Sequence, residues 1–259
     1  MANWHTYDHY GYALTAVLGT FAAVAVIHWL MRRSPWANWL RSLQGVAPPF
    51  INIIGVLFGL TLAFLANDTW NAHDRAMNAV YKEADALRSL IALSRHLEPP
   101  LQKRIGAALT DYAQATAAEW PLLAQRNVSQ AVDIKGDALL SLLASREISA
   151  SAGQTVQTLM LRKVMDIRDE RDSRIGLSQT HINPLKWLGM AFLGLLTLIS
   201  IAVVHIENPR AASVAILLFA LAAAPTAAIV LVQGNPFQQP SSVSPTPIIT
   251  AVSQQNHDN

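Results

Sequence analysis

The chain has 259 residues, of which 52% are hydrophobic, 14% are charged and none is cysteine. A soluble domain of this size carries about 25% charged residues, so the deficit indicates membrane segments. Of the Asp, Glu, Lys and Arg residues, 29 lie within residues 67–186 and only seven lie elsewhere. The absence of cysteine excludes a disulfide scaffold, a Cys-based metal site and a thiol enzyme. A net charge of +2 gives no reason to expect nucleic acid as a partner.

Four apolar stretches are each long enough to cross a bilayer as a helix, which takes roughly 20 residues at about 1.5 Å of rise per residue. The third stretch is preceded by Pro184 and begins near Trp187, a residue typical of membrane interfaces, and the fourth contains Pro225, where we expect a kink. The first ten residues carry no Lys or Arg, so the first stretch is not predicted to be a cleaved signal peptide. The predicted fold is an all-α polytopic membrane protein with four transmembrane helices, over residues 12–31, 49–66, 185–204 and 211–232.

The charged region between the second and third spans is predicted to be a helical insert. No Pro or Gly occurs between residues 60 and 97, so the second span is expected to continue as one long helix that ends before Pro99. On this extension Val80, Ala84 and Leu87 recur at three- and four-residue steps and predict a buried face. Further helices are predicted over residues 101–120, where Pro121 is expected to end the helix, over residues 135–145, and from about Ser151 toward the third span.

These patterns divide the chain into four parts. They are residues 1–66 with the first transmembrane hairpin, 67–184 with the insert, 185–232 with the second hairpin, and 233–259 as a C-terminal tail. The tail is rich in Pro, Ser, Gln and Asn and is almost uncharged. We expect it to be disordered or to lie as an extended segment on a neighbouring molecule.

Short motifs follow one another in a fixed order along the chain. The order is residues 55–64 (GVLFGLTLAF) with Trp70 and Asp74-Arg75, then Tyr112 with Glu119-Trp120-Pro121, then Arg168, Arg171 and Arg174 with Pro184 and Trp187, and finally Asn235-Pro236-Phe237 with Ser244-Pro245. In this order and spacing they resemble the bestrophin-like family of bacterial membrane proteins, distant relatives of the bestrophin anion channels. The resemblance covers residues from about 48 to 248.

The resemblance implies a homo-oligomeric ion channel or pore in the bilayer of the bacterial inner membrane. By resemblance the oligomer is a pentamer that is permeable to an anion such as chloride, and no cofactor or metal is expected. The acidic calcium site that follows the last span in the eukaryotic channels is missing, because Asp258 is the only acid after Glu207. Calcium gating is therefore not expected.

The resemblance also assigns the pore lining to the second span. Three residues at i, i+4 and i+8, the last directly after a glycine, line the neck in bestrophin channels, and Gly59 as the anchor places them at Asn52, Val56 and Leu60. An Asn stands at one of these positions and no aromatic residue remains. The stripe continues to Asn67. The alternative is that Val56 and Leu60 face lipid or an adjacent helix, as most apolar residues of membrane spans do.

Gly55 and Gly59 form a G-x-x-x-G pattern within the second span. This pattern allows another helix to approach closely, either from a neighbouring subunit or within the same chain. Both interpretations place the second span centrally.

The competing interpretation is a membrane scaffold or accessory subunit, which docks partner proteins through the insert and the tail. An enzyme is not predicted, because the sequence contains no nucleophile–base pair, no phosphate-binding glycine loop and no Cys/His cluster. Glu119 is a lone carboxylate with no second acid to share proton transfer, so we expect a structural role.

One ion pair is predicted near the membrane. Asp74 lies about eight residues beyond the second span, and Arg174 lies eleven residues before the third, so helical rise places both at about 12–16 Å from the bilayer. We expect Asp74 to pair with Arg174 or with Arg171, which continues the apolar face of its helix and therefore points inward. The alternative is that each of these groups is solvated.

The distribution of basic residues gives the predicted orientation. Near the membrane the insert side carries Arg75, Lys82, Arg168, Arg171, Arg174 and Lys186, and the other side carries Arg32, Arg33, Arg41 and Arg210. Basic residues are enriched on the cytoplasmic side, and the resemblance agrees. The insert and both termini are therefore predicted to be cytoplasmic.

Overall fold

The structure is a computed structural model that describes residues 8–33, 42, 47–179 and 184–253. The helices, in chain order, are α1 (Asp8–Arg33), α2 (Ala47–Ser94), α3 (Pro99–Ala124), α4 (Gln130–Leu143), α5 (Arg146–Ser178), α6 (Pro184–Val204), α7 (Pro209–Val232) and α8 (Thr246–Ser253). Within the described residues there is no strand. The predicted all-α class is confirmed.

Four helices are long and apolar enough to cross a membrane. The qualifying segments are Tyr10–Met31 in α1, Pro48–Ser94 in α2, Leu185–Val204 in α6 and Pro209–Val232 in α7. Local signals explain where the last one begins, because the Asn208 side chain accepts a hydrogen bond from the backbone N–H of Ala211 and Pro209 occupies the first turn. The four-span prediction is confirmed.

The end of α3 and the start of α4 differ from prediction by more than two residues. Helix α3 runs three residues past Pro121 to Ala124, because a proline near a helix end removes only one backbone hydrogen bond. Helix α4 begins at Gln130, five residues before its predicted start. Helix α5 starts at Arg146, where the side chain of Ser145 caps it by accepting from the N–H of Ile148, but it is interrupted by a kink at Gly153 (φ 76°, ψ 158°). Its long part therefore begins close to the start predicted near Ser151.

The chain forms two compact units. The first consists of the described residues within 1–70 and 181–234, and the second of the described residues within 71–180 and 235–259. Helix α2 contributes its first part to one unit and its remainder to the other. In the first unit α1 contacts α6 and α7, and α6 contacts α7. Gly194 of α6 allows close approach here, because a Cβ atom at this position would lie 3.2 Å from the ring of Phe58.

The second unit has a continuous hydrophobic core. Helix α3 packs against α4, α5 and α8, and α4 packs against α5. Fully buried side chains come from each part of this unit, including Leu87, Ile105, Leu139, Met160 and Ile248. This core holds the carboxylates and arginines described below.

The C-terminal tail differs from both alternatives predicted for it. It carries the short helix α8 and packs on its own chain, where Phe237, Val243 and Ile248 are part of the core of the second unit. These apolar side chains recur among the Pro, Ser and Gln residues that made the segment resemble a disordered tail. The last predicted tail residues, 254–259, lie outside the described residues.

Candidate functional site

The predicted pore stripe lies on the face of α2 opposite to the face that packs within the chain. Phe58 and Leu65 are buried in the first unit. Nine residues make two and a half helical turns, so Val56 lies opposite Leu65 and Asn67 lies opposite Phe58. The sequence-predicted stripe is thus directed away from the chain's own core.

All four stripe residues are exposed in the single chain. Val56 is 60% exposed and Leu60 is 50% exposed, and Asn52 and Asn67 are exposed as well. Exposure alone does not distinguish them, because Leu57 and other apolar residues on the flank of the same helix are exposed as well. The stripe is therefore available to a pore, to lipid or to another subunit.

The two glycines of the G-x-x-x-G pattern are not used for packing inside the described chain. A Cβ atom placed on Gly55 or Gly59 would meet no other described side chain or neighbouring helix within 4 Å. Gly194 contrasts with them, since its close contact with Phe58 is made within the chain. Packing within the described chain therefore does not use this pattern, and the surface is open to lipid or to another helix.

The second unit contains a buried ion pair between α2 and α5. Arg174 donates from Nε to Glu83 Oε2 at 2.7 Å and from Nη2 to Glu83 Oε1 at 3.1 Å. Both side chains are fully buried. Two parallel hydrogen bonds fit the fork of the guanidinium to the carboxylate and fix the orientation of both groups.

A second arginine on α5 joins α3 to α4. Arg171 donates from Nη2 to Glu119 Oε1 at 2.9 Å and to the Ser129 carbonyl at 3.1 Å, and it also pairs with Asp133. Burial alone lowers the pKa of Arg171, but hydrogen bonds and charge from Glu119 and Asp133 outweigh it and raise the pKa above its ordinary value. Arg171 therefore stays charged.

The two pairs belong to one cluster. Arg174 Nη1 lies 3.7 Å from Glu119 Oε2, so Glu119 faces both arginines. Tyr112 donates its hydroxyl to Glu83 Oε1 at 2.8 Å. Burial, followed by the Glu83 charge, raises the pKa of Tyr112 well above its ordinary value, so the hydroxyl remains a neutral donor. We call Glu83, Tyr112, Glu119, Arg171 and Arg174 the buried charge cluster.

The predicted ion pair between Asp74 and Arg171 or Arg174 is not formed. Arg171 and Arg174 are both in ion pairs, but their partners are Glu119, Asp133 and Glu83, whereas Asp74 is exposed. The prediction considered height along the helices and not the direction of the side chains. Asp74 lies nine residues before Glu83 and hence on the opposite face of α2.

The sequence did contain a signal for Glu83. It stands next to Ala84 and three residues after Val80, within the apolar face predicted for the long helix. A carboxylate on such a face requires a buried partner, because an unpaired charge is strongly disfavoured there. The expected structural position of Glu119 agrees with its place in the cluster.

The cluster also holds the C-terminal tail. The centre of the Trp120 ring lies 4.9 Å from the guanidinium carbon of Arg174. The ring centres of Trp120 and Phe237 are 5.5 Å apart, in an edge-to-face arrangement. Trp120 Nε1 donates to the carbonyl of Val243 at 2.6 Å. Asn235 donates to the carbonyls of Leu123 and Ala124, the last residues of α3. The motif residues around Trp120 and Asn235 thus meet in one place.

Comparisons with known proteins identify the family of the chain. Residues 18–248 match the bestrophin-like domain family. No curated protein matches the chain.

Solved structures share the fold. A single-site variant of a bacterial bestrophin homologue from Klebsiella pneumoniae has a TM-score of 0.64 at 14% identity and covers 95% of this chain and 96% of that one. A second variant of that homologue has a TM-score of 0.67 at 13% identity and covers 95% of this chain and 96% of its own. A third variant has a TM-score of 0.66 at 12% identity and covers 100% of this chain and 98% of its own. With a family match that spans most of its length and this shared fold, the chain belongs to the bestrophin-like family.

Proposed function

We propose that the protein is a homo-oligomeric ion channel of the bestrophin type, permeable to anions, in which α2 lines the central pore. The observation that carries the proposal is the position of Val56 and Asn67 on the face of α2 opposite Leu65 and Phe58, which pack in the chain's own core. In a ring of subunits with α2 innermost, this outward face is the one that is available to line the axis. Membership of the bestrophin-like family supports the same assignment.

The side chains on this face suit an anion pore. Val56 and Leu60 form an apolar step, and apolar constrictions control ion flow by excluding water. Asn52 and Asn67 stand on either side of that step, about 22 Å apart along the helix. Their amide N–H groups are donors for an anion that has lost part of its water shell. A ring of subunits would repeat each of these groups around the axis.

The glycines support assembly of the ring. Gly55 and Gly59 lie on one flank of the stripe, and a Cβ at either position would have open space among the described residues. Membrane helices associate through close van der Waals contact rather than through a hydrophobic driving force, so an unused small-residue surface suits contact with a neighbouring subunit. A pentamer that passes chloride is the assembly suggested by the family.

The scaffold interpretation loses one of its two docking elements. It required the tail to bind a partner, but Phe237, Val243 and Ile248 of the tail are buried in the chain's own core. The insert would have to provide the docking surface by itself. For this reason we propose the channel rather than the scaffold.

We further propose a bacterial inner-membrane location with the insert and both termini in the cytoplasm. The excess of basic residues near the membrane on the insert side supports this orientation. Reporter fusions at Asn127, in the insert, and at Asn259 should both report the cytoplasm. A periplasmic signal from either fusion would overturn it.

Chloride flux tests the proposed function. The purified protein, reconstituted in liposomes loaded with chloride, should release the ion when a potential is applied with a potassium ionophore, and its size in detergent should be that of an oligomer. Protein-free liposomes and liposomes with heat-denatured protein are the controls. An intact oligomer that releases no anion would support the scaffold interpretation instead.

A further inference from the structure

The membrane unit contains an apolar cavity of about 620 Å³ between α1, α6 and α7, and Phe58 of α2 also contributes to its lining. A volume of this size is within the range of small-molecule sites, which is about 300–1,000 Å³. About half of its lining residues are small, including Ala16 and Gly19 of α1, Ala191 of α6 and Ala223 of α7, and the others are large apolar and aromatic side chains. Small side chains at these positions leave a space that the helices themselves do not fill.

The cavity has the depth of one bilayer leaflet. Its lining runs from Tyr12 to Ala23 on α1 and from Trp187 to Leu198 on α6. Each of these segments rises over eleven residues, or about 16 Å. Half of a hydrocarbon core of about 30 Å is about 15 Å. The cavity therefore extends from one membrane surface to about the bilayer centre.

One end of the cavity lies at the membrane interface. Tyr12 is in the first turns of α1, Trp187 is in the first turn of α6, and Leu231, another lining residue, is next to the end of α7. In a chain with four spans, the starts of the first and third spans and the end of the fourth are on the same side of the membrane. Tyr and Trp are the residues typical of that interface.

The chemistry of the walls selects an uncharged apolar occupant. The two threonine hydroxyls of the α1 wall are already used, because Thr15 donates to the Gly11 carbonyl at 2.8 Å and Thr20 donates to the Ala16 carbonyl at 2.7 Å. An apolar space of this volume inside a bilayer leaves the side chains around it without van der Waals partners. An acyl chain restores these contacts without requiring a polar partner.

We propose that this cavity is a lipid site, which holds one acyl chain of a phospholipid from the leaflet on the side of the insert. The head group lies near Tyr12 and Trp187, and the end of the chain reaches the level of Ala23 and Leu198. The bound chain completes the packing of α1 against α6 and α7. This site is separate from the proposed pore face of α2.

Lipid retention by matched leucine variants tests the site. Apart from the adjoining part of its own helix, a Cβ atom at Gly19 would meet no described atom within 4 Å, so the side chain of Gly19→Leu enters the cavity without a clash at its Cβ. Gly189→Leu on α6 has the same open space but is not part of the lining. Ala191→Leu fills the cavity from the opposite wall. Each protein is delipidated in detergent, incubated with dioleoyl phosphatidylglycerol, passed through gel filtration and measured by native mass spectrometry.

The wild type and Gly189→Leu should each retain one phospholipid per chain. Gly19→Leu and Ala191→Leu should lose it, with oligomer size unchanged. Equal retention by all four proteins would overturn the proposal. A change of oligomer size in the two cavity-filling variants would also overturn it, because it would mean that a second copy of the chain covers the cavity. Neither readout depends on ion flux, so the result is independent of the proposed channel function.

Discussion

Arg174 and Glu83 face each other across α5 and α2 with both side chains at 0% exposure, joined by two hydrogen bonds of 2.7 and 3.1 Å. Glu83 also accepts from Tyr112, and Arg174 lies over the ring of Trp120. Helices α2, α3 and α5 therefore meet at one ion pair, and the tail joins them through its contacts with Trp120 of α3. Such a pair is costly to form and more costly to break by removing one partner.

Removal of the carboxylate of Glu83 should destabilise the protein strongly. Glu83→Ala leaves Arg174 buried without its two-bond partner, and the expected loss is about 3–5 kcal/mol. Asp74→Ala on the same helix is the matched control, because Asp74 is exposed and should cost less than about 0.5 kcal/mol. Thermal unfolding in detergent measures both, and similar melting temperatures for the two variants would contradict the assignment.

The hydroxyl of Tyr112 should contribute stability that depends on pH. Tyr112→Phe removes the hydrogen bond to Glu83 and should cost about 1 kcal/mol at pH 8. The pKa of Tyr112 is raised in the folded protein, so its contribution is present below the unfolded pKa of about 10 and is lost as pH rises above it. The difference in free energy of unfolding between the wild type and Tyr112→Phe should therefore decrease between pH 8 and pH 10.5.

The exposed Tyr81 provides the comparison for that measurement. Tyr81→Phe should match the wild type at pH 8. A gap for Tyr112→Phe that stays constant or widens with increasing pH would show that the Tyr112 hydroxyl is not held as a neutral donor.

Asn235 should be the anchor of the C-terminal tail. Its side chain donates to the Leu123 and Ala124 carbonyls and accepts from the N–H of Phe237 at 2.9 Å, and the residue is buried. Asn235→Ala leaves these groups unsatisfied and should cost about 1–3 kcal/mol. Limited proteolysis should then remove the tail faster. Asn127→Ala, at an exposed position, should leave the rate unchanged; equal rates for both variants would argue against the anchor.

The membrane part of the fold could be predicted because its signals are local. Span length and apolar composition identify α1, α2, α6 and α7, and the absence of Pro and Gly after residue 60 predicts the length of α2. The inward direction of Arg171 followed from its position on the apolar face that contains Ile167. Each of these inferences needs only the helical period and not the arrangement of the helices.

The remaining features depend on contacts between distant segments. Glu83 and Arg174 are 91 positions apart, and spacing along two separate helices does not specify which faces meet. The tail resembled a disordered segment because its few apolar side chains fill a core that other helices build. Helix α3 extends past Pro121 to Ala124, and its last carbonyls are satisfied by Asn235 from that tail.

The glycine surface of α2 should control assembly. Gly55→Leu has open space within the described chain, so the subunit should fold normally, but the larger side chain should separate neighbouring subunits and reduce the oligomer size in detergent. Gly189→Leu, which also has open space, should retain the wild-type size. Size-exclusion chromatography with light scattering measures both variants. An unchanged oligomer in Gly55→Leu would place the subunit contact elsewhere.

The pore assignment can be tested cleanly because the chain contains no cysteine. Val56→Cys places a thiol on the proposed axial face, and Leu57→Cys places one about 100° around the same helix at a position that is also exposed. Leu65→Cys, on the buried face, reports background labelling.

Chloride flux before and after treatment with a charged, membrane-impermeant thiol reagent is the most direct measurement of the central claim. In liposomes that contain Val56→Cys, the reagent should reach the thiol through the aqueous pore and change the flux several-fold. Leu57→Cys and Leu65→Cys should show no change. Unmodified Val56→Cys in protein that conducts chloride, or a flux change only in Leu57→Cys, would contradict the assignment of this face of α2 to the pore.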